Sequence, residues 1–208
     1  MYKRQGIGVA TPPHEVHAAF ASYARSLLKD SREQLIFDRM AERSGIARRH
    51  AVLPAGDLEQ GEVDAQGFYR PSRFPGTRER MALFEAEALP LVIRAVNQLS
   101  VHLGPGALRL THITHLVVVS CTGFVAPGLD IDLIDALGLP PEVKRTVIGF
   151  MGCAAALPAL RCAQQTVLAD PRARVLVVNV ELCSLHLQES HSIEELLSFL
   201  LFGDAASA

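Results

Sequence analysis

Two rhythms of apolar and polar positions run along this chain. In roughly its first half, apolar side chains mostly recur at the spacing of a helix with one buried face. A short apolar run, GIGVATPP (6–13), reads as a buried strand ended by a proline pair. HEVHAAFASYARSLL (14–28) is helical in period. SREQLIFDRMAERSG (31–45) is a second helix, with Ser31 as N-cap, Glu33 and Gln34 in the first turn and Gly45 as the stop. IARRHAVL (46–53) is a candidate strand, and residues 54–76, rich in Gly, Pro and charge, form a loop. A long helical pattern over 77–103 contains Pro90, which is expected to kink or split it.

The rhythm then changes. THLVVVSC (114–121) is a continuous apolar run, the kind of strand covered on both faces. PGLDIDLIDALG (127–138) is a helix opened by Pro127 and closed by Gly138. KRTVIGF (144–150) is strand-like, CAAALPALRCAQQTVLAD (153–170) helical, ARVLVVNVEL (173–182) another buried strand, and SIEELLSFLLF (192–202) helical again. Strands alternating with helices predict an α/β layered fold with a largely buried sheet. No internal repeat and no low-complexity tract interrupts it.

Composition narrows the classes. The 208 residues are 49% hydrophobic, enough for one sizeable core or part of a larger one. With 20 basic and 22 acidic residues the net charge is -2, which gives no reason to expect nucleic acid or an anionic membrane as partner. No apolar run is long enough to span a bilayer, and no signal peptide is visible. The cysteines at 121, 153, 162 and 183 form no CxxC pair, so neither zinc nor a disulfide framework is suggested; they read as reduced thiols of a cytoplasmic protein. His112 and His115 have no further ligands for a metal. GxGxxG and a Walker lysine are both missing, which argues against a nucleotide-driven enzyme. MYKRQ (1–5) reads as a non-native leader, leaving 6–208 as one domain, and LFGDAASA stops while still small and apolar. A gene fragment cut at both ends is the expectation.

The stretch GFMGCAAALPALRCA carries the candidate chemistry. Strand, Gly152, Cys153 and helix follow one another. A helix start has unpaired N–H groups and a partial positive charge, so a thiolate there is stabilised as a nucleophile. Gly152 permits a sharp turn. The other reading is a cysteine that only packs, since cysteine is among the most buried residue types. Cys162, well inside the helix, is the better case for packing alone.

From His115 to Asp204 the blocks THLVVVSCTGFVAPGLD, LGLPPEVKRTVIGFMGCAAA, ARVLVVNVEL and LFGDAA resemble, in order and nearly in spacing, the type III polyketide synthases, the chalcone and stilbene synthase-like enzymes of bacterial type. FDRMAERSGIARRH resembles the upstream helix of that family and the strand after it. The resemblance implies the N-terminal half of a thiolase-like layered fold, with a mixed sheet buried between helices, in a homodimer. It implies an acyltransferase that loads an acyl-CoA starter on a cysteine and extends it with malonyl-CoA by decarboxylative Claisen condensation. Coenzyme A thioesters are the substrates, with no metal and no resident cofactor.

On this pattern Cys153 matches the nucleophile and Phe202 the gatekeeper between the CoA tunnel and the cavity. Arg39 and Arg43 match contacts to the CoA phosphates. Cys121, Thr122, Cys183 and His186 match cavity-lining positions, and Ala126 the residue that reaches into the partner's cavity. From spacing alone, Arg39 and Arg43 also suit a solvated face paired with Asp38 or Glu42, Phe202 a core aromatic, and His186 a structural histidine. Ile36 replaces a third basic CoA contact of the plant enzymes, Ala126 replaces their methionine, and the segment from Leu187 to Phe202 is slightly shortened. The family also needs a His and an Asn from its C-terminal half. None of the eight histidines here falls in that motif, so this length of chain is expected to be inactive in condensation by itself. Two alternatives share parts of the pattern: a ketoacyl-ACP synthase III-like condensing enzyme, and a non-catalytic acyl-CoA-binding relative.

Overall fold

The apolar run at 114–121 forms strand β4 (His115–Val119), in which Leu116, Val117, Val118 and Val119 are all buried. Two parallel neighbours flank it, β5 (Lys144–Ile148) and β6 (Val175–Leu182), with Val119 in register with Ile148 on one side and Asn179 on the other. A central parallel strand has no solvent face, and this is why its apolar run is unbroken. β1 (Val9–Ala10) pairs antiparallel with β7 (Asp204–Ser207), and the sheet order is β1–β7–β6–β4–β5. The sheet is therefore mixed, as expected. The computed structural model describes residues 6–57 and 60–208; the leader expected at 1–5 lies outside the described residues.

The chain folds as two compact units. Residues up to Ala10, Leu83–Glu181 and Ala205–Ala208 make the first; Thr11–Ala82 and Leu182–Asp204 make the second. In the first unit, helices α4 (Leu129–Leu137) and α5 (Ala156–Ala169) connect β4 to β5 and β5 to β6. Ala155, Ala159 and Cys162 lay α5 against Val117 and Val119, with Ile148, Val175 and Val177 around them. Cys162 thus packs, as its place inside the helix suggests.

Helix α3 (Thr77–Leu103) runs through Pro90 without splitting. A mid-helix proline costs about 3 kcal/mol. Leu91, Val92, Val96 and Leu99 are all buried after it. Burial of side chains of this size contributes about 1.5–3 kcal/mol each, so packing outweighs the break.

The second unit begins with β2 (His14–Glu15), which pairs antiparallel with β3 (His50–Ala51). β3 is shorter than the strand expected over 46–53, and β2 occupies the first two residues of the stretch expected to be helical. α1 starts at His17 because Glu15 folds back to accept from the His17 amide at 2.8 Å. α1 (His17–Leu27) and α2 (Ser31–Ser44) follow. The N-cap of α2 is Asp30 rather than Ser31: its carboxylate accepts from the Arg32 amide, and a full anion suits the positive helix end better than a hydroxyl. Gly45, at φ 65°, ends the helix as predicted. The helix expected over 192–202 is two short ones, α6 (Ile193–Leu196) and α7 (Ser198–Leu201). The rings of Phe20 and Tyr23 in α1 pack on Phe199 of α7 at 6.1 and 5.7 Å. The 54–76 loop is organised by buried Asp64, which accepts from the amides of Gln66, Phe68 and Tyr69.

Candidate active site

Cys153 lies in the first unit, on the corner between β5 and α5. Two residues there have left-handed backbone, Phe150 at φ 57° and Gly152 at φ 66°. Nothing lies within 4 Å of a Cβ built on Gly152, so conformation rather than space asks for glycine. A 3₁₀ turn, Gly152–Ala154, follows, closed by the Ala155 amide on the Gly152 carbonyl at 3.0 Å. The α-helix proper begins at Ala156. Cys153 is therefore on the tight turn that leads into the helix, not on its first turn, because the left-handed glycine forces an i→i+3 bond first. The packing alternative does not hold: Cys153 is exposed, whereas Cys121, Cys162 and Cys183 are all partly covered.

Cys121 and Thr122 form a turn beyond β4. The Cys121 Sγ lies 3.9 Å from the carbonyl oxygen of Gly152, which brings this turn against the residue preceding Cys153. The turn is held by Glu181, near the end of β6. Its carboxylate accepts from the Cys121 amide at 2.9 and 3.1 Å, from the Thr122 amide at 3.0 Å and from the Thr122 hydroxyl at 2.7 Å. Sequence reasoning passed over Glu181. Its signal was present: a lone acid in the apolar strand ARVLVVNVEL is costly unless donors meet it. Gly123 is required by close approach, since a Cβ there would sit 2.1 Å from the Phe84 ring.

Ala126 is exposed and precedes Pro127. Phe124 and Phe150 stack at 6.2 Å, and with Met151 they leave an exposed apolar rim beside the Cys153 corner.

The remaining candidates lie in the second unit. Arg39 and Arg43 are exposed on α2, one turn apart. Asp38, considered as their partner, is taken instead by Arg25 at 2.8 Å. Ile36, and with it Leu35 and Met40, is exposed on the same helix. Cys183 and His186 sit half-covered on the 3₁₀ turn Cys183–His186. Between them Ser184 is buried, donating its amide and hydroxyl to Asp204 at 2.8 and 2.6 Å. The Tyr69 hydroxyl donates to the Ser184 carbonyl at 2.6 Å. Burial pushes the Asp204 carboxyl above its ordinary range, while donors from Ser184 and Val52 pull it back.

Phe202 caps the C-terminal end of α7 and is 43% exposed, whereas Phe199, one turn earlier, is wholly buried. Phe199 therefore fills the core place that Phe202 would have in the core-aromatic reading. The Phe202 carbonyl accepts from Nη1 of buried Arg49 at 2.7 Å. Among the described residues no group of three or more His, Cys, Asp or Glu side chains could hold a metal ion. No helix among them is long and apolar enough to cross a membrane.

The chain is similar to known proteins over nearly all of its length. Residues 5–208 match the N-terminal domain of chalcone and stilbene synthases. The chain is 35% identical over 207 residues to the alpha-pyrone synthesis polyketide synthase-like Pks18 of Mycobacterium tuberculosis, covering 98% of this chain and 50% of that protein. Among solved structures it is similar to the C-terminal type III polyketide synthase domain of Steely1, a type I/III hybrid from Dictyostelium. There the TM-score is 0.81 at 28% identity, over 97% of this chain and 53% of the other. It is also similar to CsyB complexed with CoA-SH, with TM-score 0.78 at 25% identity over 97% and 53% of the two chains. The chain thus spans about half the length of the relatives it matches.

Proposed function

Because the chain belongs to the chalcone and stilbene synthase family, we propose that the full-length protein is a type III polyketide synthase with Cys153 as its nucleophile. The observation that carries this reading is the exposed thiol delivered by the Gly152 corner to the entry of α5. The Cys153 thiolate attacks the carbonyl carbon of an acyl-CoA; the new C–S bond forms as coenzyme A leaves with the old one and takes up a proton. Malonyl-CoA then loses carbon dioxide, and the enolate carbon attacks the cysteine-bound acyl group. A carbon–carbon bond forms, and the cysteine leaves as thiolate with a β-ketoacyl-CoA as product. We assign the base and oxyanion donors of these steps to a His and an Asn from the part of the family's length that this chain does not span.

Arg39 and Arg43 are suited by exposure and spacing to the phosphates of coenzyme A. Phe202, exposed at the end of a short helix, suits a gate. Cys183 and His186 in the second unit, and Cys121 and Thr122 in the first, each keep the cavity-lining role that the family pattern gives them. A homodimer is supported by β5, an edge strand of the sheet whose Val147 is 60% exposed, and by the neighbouring apolar rim of Phe124, Phe150 and Met151. Ala126, exposed beside that rim, is assigned to reach the partner's cavity. The thiol chemistry and CoA substrates suit a reducing cytoplasm.

Intact-mass spectrometry of full-length protein given an acyl-CoA tests the reading. An acyl adduct that maps to Cys153, disappears in Cys153→Ala and is extended on adding malonyl-CoA is the expected result. An adduct that persists in Cys153→Ala overturns the nucleophile assignment. Loading from an acyl-carrier protein but not from free CoA thioester favours a ketoacyl-ACP synthase III-like enzyme instead.

A further inference from the structure

The second unit contains a buried cation that the chemistry above does not use. Arg49 is 5% exposed, and each nitrogen of its guanidinium donates a hydrogen bond. Nη2 donates to the Phe199 carbonyl, Nη1 to the Phe202 carbonyl at 2.7 Å, and Nε to Nδ1 of His17 at 2.9 Å. The Phe20 ring lies beneath its Cζ at 6.0 Å. The Arg49 backbone is held as well: its amide donates to the Glu15 carboxylate at 3.4 Å, and its carbonyl accepts from the Val16 amide at 2.9 Å.

This arrangement answers a problem that α7 creates. A helix end leaves carbonyls without partners, and a helix of one turn cannot hold its own end rigid. The Arg49 fork takes two such carbonyls, that of Phe199 within α7 and that of Phe202 at its C-cap. Two residues further on, Asp204 is pinned by the Val52 amide at 2.9 Å and by Ser184. The Phe202 backbone is therefore bracketed by fixed points, while its ring remains 43% exposed. A ring of fixed base and free edge is what a selective gate needs.

We propose that Arg49 is a positioning residue that sets the attitude of the Phe202 ring and, through it, which acyl chains are admitted. The proposal rests on reading Phe202 as the gate. A lysine at 49 keeps the charge but lacks the planar fork, so it can serve only one carbonyl well.

Two measurements on the full-length protein separate the proposal from that reading. The first replaces Phe202 by 4-cyanophenylalanine, whose nitrile stretch no other protein group contributes. With Arg49 present the band is narrow. In Arg49→Met it broadens and shifts toward the water-exposed frequency, and in Arg49→Lys it lies between the two. The second, with Phe202 retained, is the ratio of kcat/KM for the best and worst acyl-CoA starters. The expected change is a fall of about tenfold toward unity in Arg49→Met, partly restored in Arg49→Lys.

A nitrile band unmoved by Arg49→Met overturns the clamp. A starter ratio that changes in Phe202→Gly but not in Arg49→Met overturns the proposal and leaves the gate intact. A ratio that changes in neither removes the gate itself. If Arg49→Met does not fold, Arg49→Lys decides: an unchanged band and an unchanged ratio in that variant reject the proposal.

Discussion

The Glu181 carboxylate accepts from the Thr122 hydroxyl at 2.7 Å while also taking the amides of Cys121 and Thr122. Four donor contacts converge on two oxygens, and an amide in place of the carboxylate cannot accept them all. Glu181→Gln sets its own N–H₂ against the Cys121 amide, donor against donor, or turns it against the Thr122 donors, at about 1–3 kcal/mol. For a chain of this size that is a fall in Tm of roughly 2–4 °C per kcal/mol. Thermal unfolding followed by circular dichroism checks it; an unchanged Tm means that the turn holds itself.

Exposure separates the four thiols. Iodoacetamide at neutral pH should label Cys153 first, with Cys121, Cys162 and Cys183 slower because each is partly covered. Peptide mapping at short labelling times reads the order. In the full-length protein Cys153→Ala should lower condensation by at least about 10³-fold, the scale of losing a covalent nucleophile. Retained product formation in that variant would place the chemistry elsewhere.

Arg39 and Arg43 should act on binding rather than on chemistry. Each charge-assisted contact to phosphate is worth about 1.5–3 kcal/mol, so Arg39→Gln or Arg43→Gln should raise KM for acyl-CoA by roughly tenfold or more with kcat little changed. The parent's KM should rise with added salt, and less so in the double variant, because exposed charges are screened. Steady-state kinetics at two ionic strengths measures both effects. A fall in kcat at constant KM would contradict the assignment.

Acid should weaken the second unit through His17. Its imidazole is held below the ordinary value of 6.5, first by burial and then by the Arg49 charge, with Glu15 pulling the other way. As pH falls below about 6.5 the unfolded chain takes up this proton before the folded one does. The stability that neutral His17 contributes is complete above that pH and is lost as pH drops toward the depressed folded value. The accepted bond from Arg49 Nε is lost with it. A Tm profile between neutral and mildly acidic pH should slope downward into acid, and the slope should be shallower in His17→Asn. Equal slopes in the two proteins would remove His17 as a cause.

Local chemistry was legible in the chain. The unbroken apolar run of β4, the Gly45 stop of α2 and the order strand, Gly152, Cys153, helix all depend on neighbours within a few residues. Periodicity and turn residues report on that range. The errors were local competitions: Asp30 against Ser31 for the cap of α2, and a 3₁₀ turn against the first turn of α5 around Cys153. The Pro90 break was overruled by burial along α3, which no local rule weighs.

By itself, the sequence determined the layered α/β class, the family and the place of a cysteine on a glycine corner before a helix. Each of these rests on residue types at short spacing. Only tertiary structure decided which polar groups support the candidates. Glu181 meets Cys121 from 60 residues away, and Arg49 meets Phe202 from 153. A carboxylate or guanidinium in a polar–apolar pattern looks the same whether water or a distant backbone satisfies it. The cost of burying its charge chooses the partner only once the chain has closed on itself.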